Sequence, residues 1–416
     1  MKLAKKRKNT EKKNKRKIIF VILDGLADIG NETPLSRAKK ENLDFFASRG
    51  FCCLWQGAKA PKNYNPKSMS DVATLELLGY SWKDNPGRGF IEALGIGIKP
   101  KNDELYLRGN FATVEKIGKK FKIIDRRAGR DASYLDELSK SLEMNIEDVK
   151  IKCLHTIGHR CILILEGKGL STSITDSDAE GDFVGNIIPK SKKAERTARI
   201  LNIFSSKAFE ILDEHPLNKK RKMKANFLLL RGAGKIKSVV KFVKKYKLKA
   251  CSISGHVVIR GISRYLGIDI INVKGANAEL NTNLKGKIDA LEKAIDKYDF
   301  ILLHINGCDV AAHDKNFEAK KRFLEKIDEV VFSRMRKFRD INLIVTSDHI
   351  TSVASGKHEF GEVPILFYSS EKDLENVLNK FKKYKIAKRF DEISCKHAMI
   401  IKNPMKFALP IFKNNK

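Results

Sequence analysis

The sequence predicts an α/β protein with a doubly wound sheet, and three observations lead to this prediction. The segment KIIFVIL at Lys17–Leu23 is a continuous β-branched run, which is typical of a strand buried on both faces of a parallel sheet. From residue 226 onwards, strand-like and helix-like segments alternate. The 416 residues, of which 42% are hydrophobic, can also bury the cores of roughly two or three domains.

The elements before residue 226 are spaced less regularly. Thr33–Gly50 is predicted as one helix that ends at its glycine, and Ser70–Leu78 has apolar residues at helical spacing. The part that follows contains short predicted strands at Phe121–Asp125 and Cys161–Leu165 and a helix near Asp131–Glu143. This irregular middle predicts an insertion between two parts of one sheet.

The later alternation supplies most of the predicted sheet. Its apolar runs are short enough for strands, and helical patterns separate them. The predicted strands are Asn226–Leu230, Ala250–Ile253, Ile270–Val273, Phe300–Ile305, Asn342–Thr346 and Pro364–Tyr368, and the predicted helices are Ser238–Tyr246, Val257–Leu266, Lys287–Lys297 and Phe317–Phe338.

Charge is the most unusual feature of the composition. The chain carries 82 Lys and Arg against 50 Asp and Glu, a formal charge of +32, which alone points to a polyanionic partner such as nucleic acid. Residues 1–17 account for +9 and lack apolar periodicity, so we predict a disordered basic tail there. The tail could contact RNA, DNA or acidic lipid, but it has no interleaved aromatic residues, which favours a solubilising extension. The remaining +23 is dispersed, as on solvated faces.

Composition also disfavours several other classes. No apolar run approaches the ~20 residues that span a bilayer, and the basic start is not followed by a signal-peptide pattern. The seven cysteines include no CxxC pair, which argues for reduced thiols and against a disulfide framework or structural zinc. We therefore expect a cytoplasmic protein that does not bind a membrane.

Metal-type residues follow several predicted strands. In an open α/β sheet, ligands bind outside the carboxyl ends of the strands. Any one of these residues could be a helix cap or a chance neighbour, but three aspartates and three histidines together could hold two divalent cations. Carboxylate with imidazole suits manganese, zinc, cobalt or iron. The six residues are Asp24, Asp309, His313, Asp348, His349 and His358.

Ser70 is a candidate nucleophile because it opens a predicted amphipathic helix. The free N–H groups and the dipole at such an end favour a bound phosphoryl group. Taken alone, Ser70 is better explained as an N-cap that Asp71 strengthens. A divalent cation beside it would turn its hydroxyl into an activated nucleophile.

The order of the sequence motifs resembles that of the archaeal-type 2,3-bisphosphoglycerate-independent phosphoglycerate mutases, which belong to the alkaline phosphatase superfamily. The resemblance extends from Lys17 to about Lys406, and the run of motifs is more specific than any one of them. The segments are VILDGLAD (Val21–Asp28), TPLSRAKKENLDFFASRG (Thr33–Gly50), SDVATLELLGY (Ser70–Tyr80), GRGFIEALGIGI (Gly87–Ile98), LRGNFATVE (Leu107–Glu115), DRRAGR (Asp125–Arg130), GHRCILILEG (Gly158–Gly167), LRGAGK (Leu230–Lys235), NGCDVAAHD (Asn306–Asp314) and TSDH (Thr346–His349).

The resemblance implies an alkaline-phosphatase-like doubly wound sheet with an inserted α/β phosphotransferase domain. It implies a metal-binding domain at residues 18–85 and 232–416 and a substrate-binding insert at 86–231. It also implies two divalent metal ions, with manganese most suited and magnesium, cobalt or zinc as alternatives. One ion would be held by Asp309, His313 and His358, and the other by Asp24, Ser70, Asp348 and His349.

The resemblance further implies a small substrate that carries a phosphate and a carboxylate, so its site needs bidentate donors. Arg88 and Arg108 lie in the motifs but are weaker candidates than the others. Asp125 is implied as the general acid and base. The stronger candidates for substrate binding are Arg127, Arg130, His159, Arg160, Arg231 and Arg260.

Five departures from the family pattern bear on this carry-over. Met69 stands where the family usually has glycine before the nucleophile, and Arg260 stands where a lysine is expected. The segment Asp176–Glu180 lacks the usual proline and histidine, which puts one substrate contact in doubt. Asn306 and Ala312 replace a common lysine and a common glycine.

The expected function is the interconversion of 3-phosphoglycerate and 2-phosphoglycerate through a phosphoserine at Ser70, without 2,3-bisphosphoglycerate and without nucleic acid. A metal-dependent phosphatase or another phosphomutase on the same fold is the alternative in the same class. A nucleic-acid-binding protein is the alternative of a different class, suggested by the charge of +32, but it would leave the metal-type residues without a use.

Overall fold

The computed structural model describes residues 17–58, 69–178, 181–370 and 387–412. The predicted tail lies outside the described residues, except for Lys17, which begins the first strand. In chain order the strands are β1 (Lys17–Leu23), β2 (Phe51–Trp55), β3 (Glu104–Ile117), β4 (Lys120–Asp125), β5 (Met144–Ile146), β6 (Val149–His155), β7 (Arg160–Glu166), β8 (Phe227–Gly234), β9 (Ala250–Ile253), β10 (Asp269–Ile270), β11 (Phe300–Ile305), β12 (Ile341–Thr346), β13 (Ile350–Ser352), β14 (Lys357–Glu359), β15 (Val363–Ser369) and β16 (Ile400–Ile401).

The helices separate these strands or cap the sheets. A π-helical turn at Asp328–Phe332 and short 3₁₀ turns, one of them at Ala128–Arg130, supplement them. The α-helices are α1 (Pro34–Arg37), α2 (Glu41–Arg49), α3 (Met69–Leu77), α4 (Arg88–Ile96), α5 (Leu135–Lys140), α6 (Glu195–Glu214), α7 (Pro216–Lys219), α8 (Phe242–Tyr246), α9 (Val257–Leu266), α10 (Leu284–Ala294), α11 (Gly307–His313), α12 (Phe317–Ile327), α13 (Ser333–Met335), α14 (Glu392–Cys395) and α15 (Pro404–Phe412).

The larger sheet is organised around β1. Its described strands lie in the order β10-β9-β11-β1-β12-β15-β2-β16, and those from β10 to β12 are parallel. β15 is antiparallel to both of its neighbours. Phe20 of β1 belongs to one hydrophobic core and Val21 to another, so both faces of the strand are covered. The predicted doubly wound α/β sheet is confirmed.

Several predicted helices and strands differ in extent from the observed ones. Thr33–Gly50 is not one helix, because Ala38 adopts an extended conformation between α1 and α2. The predicted strand Ile270–Val273 is reduced to β10, and the predicted helix Ser238–Tyr246 begins only at Phe242. The helix predicted from Phe317 is interrupted by the π-helical turn, where Asp328 accepts hydrogen bonds from two backbone N–H groups of α2.

The second sheet is built from the part of the chain predicted to be less regular. The strands predicted at Phe121–Asp125 and Cys161–Leu165 are confirmed as β4 and β7, and the helix predicted near Asp131–Glu143 is the shorter α5. The antiparallel path is β4-β3-β7-β6-β5, and β8 pairs with the other edge of β3. The long helix α6 packs on this sheet through Leu201 and Phe204. β3 was missed because Arg108 and Asn110 interrupt its apolar pattern although both are buried.

Two segments of the chain lie side by side near the junction of the two sheets. Pro86 precedes α4, Lys235 follows β8, and the Lys235 N–H donates to the Pro86 carbonyl at 3.2 Å. Gly87 has φ +106°, and a Cβ there would lie 2.3 Å from the carbonyl oxygen of Ala233, so the crossing requires glycine. The predicted insert at 86–231 stays a prediction, and β8 itself continues to Gly234.

Two findings concern the classes that composition disfavoured. Among the described helices, none is both long enough and apolar enough to cross a membrane. All seven cysteines are buried, and none of them forms a disulfide.

A buried ion pair ties the loop after β1 to α12. Lys320 has no exposed surface, and its Nζ lies 2.9 Å from Asp28 Oδ2. The same Nζ donates to the carbonyl oxygens of Ala27 at 3.2 Å and Thr351 at 2.9 Å. Because a buried ammonium needs several partners, Lys320 fixes the loop after β1 and strand β13, which supply them.

Glu392 makes the stability of the fold depend on pH. Its carboxylate accepts hydrogen bonds from Asp28 N at 2.8 Å and Thr33 Oγ1 at 2.7 Å, but burial raises its pKa to about 7 despite these bonds and the nearby Lys320. An acid whose pKa rises on folding costs stability once it ionises, so stability should fall as the pH rises through 7.

We expect Glu392→Gln to be more stable than the unaltered protein at pH 8 by on the order of 1 kcal/mol, and therefore to unfold at a higher temperature. The difference in stability between the two proteins should be smaller at pH 5. Thermal melts followed by circular dichroism at both pH values measure this. Glu362→Gln, the same change at an exposed position, is the control. A variant that keeps the pH dependence of the unaltered protein would contradict the assignment.

Candidate active site

The carboxyl ends of three parallel strands bring the predicted metal residues to one edge of the larger sheet. Asp24 directly follows β1, and α11 with its ligand-type residues directly follows β11. Gly25 has φ +63°, and a Cβ there would lie 2.7 Å from the Cα of Asp309, so glycine allows these two chain segments to approach. Asp348 and His349 follow β12, and β14 carries His358.

Four of the predicted residues meet around Nε2 of His349. Ser70 Oγ lies 3.2 Å from this nitrogen, Asp348 Oδ2 lies 3.2 Å away and Asp24 Oδ1 lies 3.4 Å away. Ligand atoms around a tetrahedral ion at 2.0–2.2 Å are separated by about 3.3–3.6 Å. The spacing therefore suits a single small cation between them.

A second group consists of Asp309, His313 and His358. The His313 and His358 Nε2 atoms are 3.2 Å apart, and they lie 3.4 Å from Asp309 Oδ2 and 3.3 Å from Asp309 Oδ1 respectively. His313 Nδ1 contacts the carbonyl oxygen of Gly356 at 2.8 Å, which orients the ring. One ligand atom from each of Asp309, Asp24 and His349 also lies within 4.8 Å of the others, so the two groups adjoin.

The charges and orphaned atoms of this edge fit divalent cations. Burial, together with the charges of Asp348 and Asp309, raises the pKa of Asp24 well above its usual range. Burial and the charge of Asp309 raise the pKa of Asp348 to about 7. Asp24 Oδ1 and Asp348 Oδ2 are buried and make no hydrogen bond to the described residues. Carboxylates gathered in this way need positive charge to ionise together.

Ser70 occupies the second position of α3 and is almost completely buried. Met69 begins this helix with its side chain buried, and the turn before it lies outside the described residues. Asp71, the next residue, lies 3.9 Å from the guanidinium of Arg88. The predicted nucleophile is thus brought to the metal residues, and its helix touches a basic group.

Two residues of this region were not predicted as site residues. His304 lies on β11, fully buried, with Nε2 3.2 Å from Asp24 Oδ2. Thr351 lies on β13, and its Oγ1 contacts both His349 Nδ1 and Asp309 Oδ1. A histidine within the apolar strand run FILLHI was the available signal for His304, whereas a threonine gives none.

Buried arginines line one face of the second sheet. Arg231 of β8 is directly opposite Arg108 of β3, and Arg160 of β7 is directly opposite Asn110. Positions 108 and 110 share a face because side chains alternate along a strand. Arg108 and Arg231 are buried, and Arg160 is partly buried. We call Arg108, Arg160 and Arg231, together with Arg88 of α4, the arginine cluster.

Glu92 is the carboxylate within the arginine cluster. Its Oε1 accepts hydrogen bonds from Arg88 Nε at 2.6 Å and from Arg108 at 3.1 Å. Burial opposes its ionisation, but Arg108, Arg88 and Arg160 hold its pKa well below the usual range. Burial and the charges of the neighbouring arginines also lower the pKa of His159 to about 3, so its imidazole is neutral.

Asp178 is a second acidic partner of the arginine cluster. It lies 3.6 Å from Arg231 and also contacts Arg126. Asp176 Oδ1 accepts a hydrogen bond from Gly232 N at 2.9 Å. The altered segment noted in the sequence therefore holds β8 beside the cluster, although residues 179–180 lie outside the described residues.

The loop after β4 carries Arg127 and Arg130. Ala128, Gly129 and Arg130 all have positive φ, a strained arrangement for the two residues other than glycine. Burial and the charges of Arg130 and Arg160 lower the pKa of Arg127. Arg130 lies 4.0 Å from Asp314, which directly follows α11, so this loop joins the arginine cluster to the metal residues.

Asp125 and Arg260 have surroundings different from those of the residues above. Asp125 Oδ1 accepts a hydrogen bond from Arg127 N at 2.5 Å, which places this carboxylate in the strained loop. Arg260 of α9 donates to Asn272 Oδ1 at 2.8 Å, and burial and the nearby Arg264 lower its pKa. Their predicted roles in proton transfer and substrate binding stay predictions.

His256 was not predicted as a site residue. It lies between the metal residues and the arginine cluster. It precedes α9, and its ring centroid lies 5.8 Å from that of His304. Burial and the charges of Arg88 and Arg160 lower its pKa to about 3, and Asp309 acts on it in the opposite direction. A neutral imidazole therefore separates the carboxylates from the arginines.

Comparison with known proteins identifies the family. A family model described as 2,3-bisphosphoglycerate-independent phosphoglycerate mutase matches residues 47–218. The 2,3-bisphosphoglycerate-independent phosphoglycerate mutase 1 of Methanocaldococcus jannaschii is 37% identical over 391 residues, which cover 90% of this chain and 93% of that protein. This chain belongs to that family. The enzyme of the same name from Archaeoglobus fulgidus is 38% identical over 386 residues, 88% of this chain and 93% of that protein.

Solved structures agree with this membership of the mutase family. A cofactor-independent phosphoglycerate mutase from Thermoplasma acidophilum is 28% identical, with a TM-score of 0.63 over 96% of this chain and all of that chain. A protein from Pyrococcus horikoshii is 25% identical, with a TM-score of 0.76 over 96% of this chain and 97% of that chain. The family resemblance predicted from the motifs is confirmed.

The site should bind two Mn²⁺ ions per chain after treatment with a chelator. We expect Asp348→Asn to lose one ion and His313→Ala to lose the other, because each change removes a ligand from a different group. Titration calorimetry measures the number of ions. Asp314→Asn, beside His313 but outside both groups, is the control. Retention of both ions by either ligand variant would contradict the grouping.

Glu92→Gln should destabilise the protein by about 3–5 kcal/mol, because it leaves buried arginines without their central carboxylate. Urea unfolding followed by fluorescence or circular dichroism measures the free energy. Glu318→Gln, which removes the exposed partner of Lys321, should change it by less than about 1 kcal/mol. Equal effects of the two changes would refute the role assigned to Glu92.

Proposed function

We propose that this protein interconverts 3-phosphoglycerate and 2-phosphoglycerate without 2,3-bisphosphoglycerate. One observation carries the proposal. The hydroxyl of Ser70 lies within a buried group of carboxylates and imidazoles, and its helix adjoins the arginine cluster through Asp71 and Arg88. A nucleophile, a site for cations and a site for anionic substrate groups are thus neighbours. The named activity of relatives that are 37–38% identical supports the same conclusion.

In this proposal Ser70 is the phosphoryl acceptor. Its Oγ attacks phosphorus in line, the glycerate oxygen leaves, and the phosphoserine then returns the group to the other hydroxyl of the same glycerate. Asp24, Ser70, Asp348 and His349 would hold one cation and Asp309, His313 and His358 the other. When bound, the cations, for which manganese is our choice, lower the pKa of the serine hydroxyl and neutralise phosphoryl charge.

The arginine cluster would hold the substrate while the phosphoryl group is transferred. Guanidinium groups bind carboxylate and phosphate through paired hydrogen bonds, and burial strengthens these bonds by excluding water. Arg127, Arg130 and His159 would add contacts from the strained loop and from the loop before β7. Exclusion of water also protects the phosphoserine from hydrolysis, which separates a mutase from a phosphatase.

A proton must move between the two glycerate hydroxyls during the reaction. We propose Asp125 for this step, because the N–H that it binds belongs to Arg127, a neighbour of the arginine cluster. We further propose that the insert at 86–231 closes over the substrate bound to the domain at 18–85 and 232–416. The buried thiols suit a cytoplasmic reaction. The reaction does not require nucleic acid.

The purified protein with Mn²⁺ should convert 3-phosphoglycerate to 2-phosphoglycerate in an assay coupled to enolase, and a chelator should abolish the activity. Ser70→Ala should lower kcat by at least about 10³-fold, because no other group replaces the nucleophile. Ser48→Ala, the same change on the exposed face of α2, should have normal activity.

Two results would contradict the proposal. Normal turnover by Ser70→Ala would refute the nucleophile. Free phosphate released faster than 2-phosphoglycerate is formed would instead identify a phosphatase. Labelling with phosphoglycerate that carries ³²P, followed by rapid denaturation, should trap the label on Ser70 in the unaltered protein only.

A further inference from the structure

Thr351 lies between the two groups of metal ligands. Its Oγ1 is 3.0 Å from His349 Nδ1 and 2.8 Å from Asp309 Oδ1, so one hydroxyl contacts one residue of each group. The side chain has no exposed surface, and water is therefore excluded as a substitute partner. No role for Thr351 was predicted from the sequence.

The hydrogen-bonding capacity of these atoms fixes where the protons lie. A threonine hydroxyl has one proton, and an ionised carboxylate accepts hydrogen bonds only. The Thr351 proton is therefore donated to Asp309 Oδ1, and the contact with His349 requires Nδ1 of that ring to carry a proton. His349 Nε2 is then left with its lone pair directed at Ser70 Oγ, the tautomer that a metal ligand needs.

The backbone around Thr351 holds its hydroxyl in place. The Thr351 N–H donates to the carbonyl of Ala27 at 3.1 Å, and the Thr351 carbonyl accepts from Lys320 Nζ at 2.9 Å. Gly25 leaves room for this hydroxyl because it has no side chain, since a Cβ at residue 25 would lie 2.7 Å from Thr351 Oγ1. The hydroxyl is therefore positioned by the same loop that follows Asp24.

We propose that Thr351 is a positioning residue that couples the two metal sites. Its hydroxyl selects the metal-binding tautomer of His349 and orients the Asp309 carboxylate in the same contact, so an ion bound at either group favours the arrangement needed at the other. The inference rests on the proposed metal sites. It adds a residue that touches neither the substrate nor an ion, and it assigns the coupling to one hydrogen-bonded oxygen.

The test compares Thr351→Val, Thr351→Ser and the unaltered full-length protein. Valine keeps the shape but removes the hydroxyl, whereas serine keeps the hydroxyl. Loss of an outer partner of a metal ligand typically weakens metal binding by about 10–100-fold. In titrations of chelator-treated protein with Mn²⁺, we expect Thr351→Val to show this loss at both sites and Thr351→Ser to bind within about threefold of the unaltered protein.

A spectroscopic measurement separates positioning from general damage to the fold. Visible absorption of Co²⁺-loaded protein reports the ligands and their geometry, so Thr351→Val should change the spectrum and Thr351→Ser should restore it. Thr197→Val is the control, because Thr197 is also fully buried and accepts a hydrogen bond from Ser171 N at 2.9 Å. Thr197 lies on α6, which packs on the second sheet. This control should bind both ions normally.

Each outcome has one meaning. Thr351→Val that binds both ions with unchanged affinity and spectrum would overturn the coupling role while leaving the proposed reaction intact. Equal losses in Thr351→Val and Thr351→Ser would also overturn it, since the hydroxyl would then not be the cause. Failure of the unaltered protein to bind two ions would refute the metal sites themselves, and this inference with them.

Discussion

The burial of several carboxylates at one edge of a parallel sheet is the constraint on which the rest of the site depends. β1 lies between β11 and β12 in parallel register, so their carboxyl ends reach the same level and the loops after them must meet. The side chains placed there are acids and imidazoles, with Asp24 and Asp348 both shifted toward the neutral form. Positive charge is what allows such a group to remain both buried and ionised.

The second sheet presents the opposite electrostatic condition. Its register places Arg108 and Arg231 opposite each other, although like charges in direct opposition destabilise a pair of strands. Glu92 offsets part of this repulsion, and Asp178 offsets another part. A bound dianion would relieve the remainder. Negative charge is thus assembled at one surface and positive charge at the other. Bound cations would neutralise the first surface, and a phosphorylated acid would neutralise the second.

The residues that lie at the carboxyl ends of the strands were predicted from the sequence. The run KIIFVIL identified β1, and the rule for carboxyl ends identified Asp24, Asp309 and Asp348 before any contact was known. It missed His304, although a histidine within an apolar strand run was an available signal, and it could not predict Thr351, because a threonine at that position does not differ from an ordinary residue in the sequence. Both are defined by contacts between segments far apart along the chain.

The middle of the chain shows where prediction from the sequence failed. β3 was not recognised because Arg108 and Asn110, both buried, interrupt the apolar alternation that predicts a strand. Helix boundaries also differed from the prediction: Ala38 adopts an extended conformation, and the π-helical turn that begins at Asp328 places its carboxylate against two N–H groups of α2. Local pattern thus predicts apolar strands well, and it predicts strands that carry buried polar residues poorly.

The paired crossing at Pro86 and Lys235 has a mechanical consequence. The two chain segments that lie side by side here and share a hydrogen bond would form the hinge of the proposed closure. Opening and closing of the arginine cluster against the metal ligands would then follow one path. A hinge of this kind would allow substrate to enter between turnovers and would return each arginine to the same place.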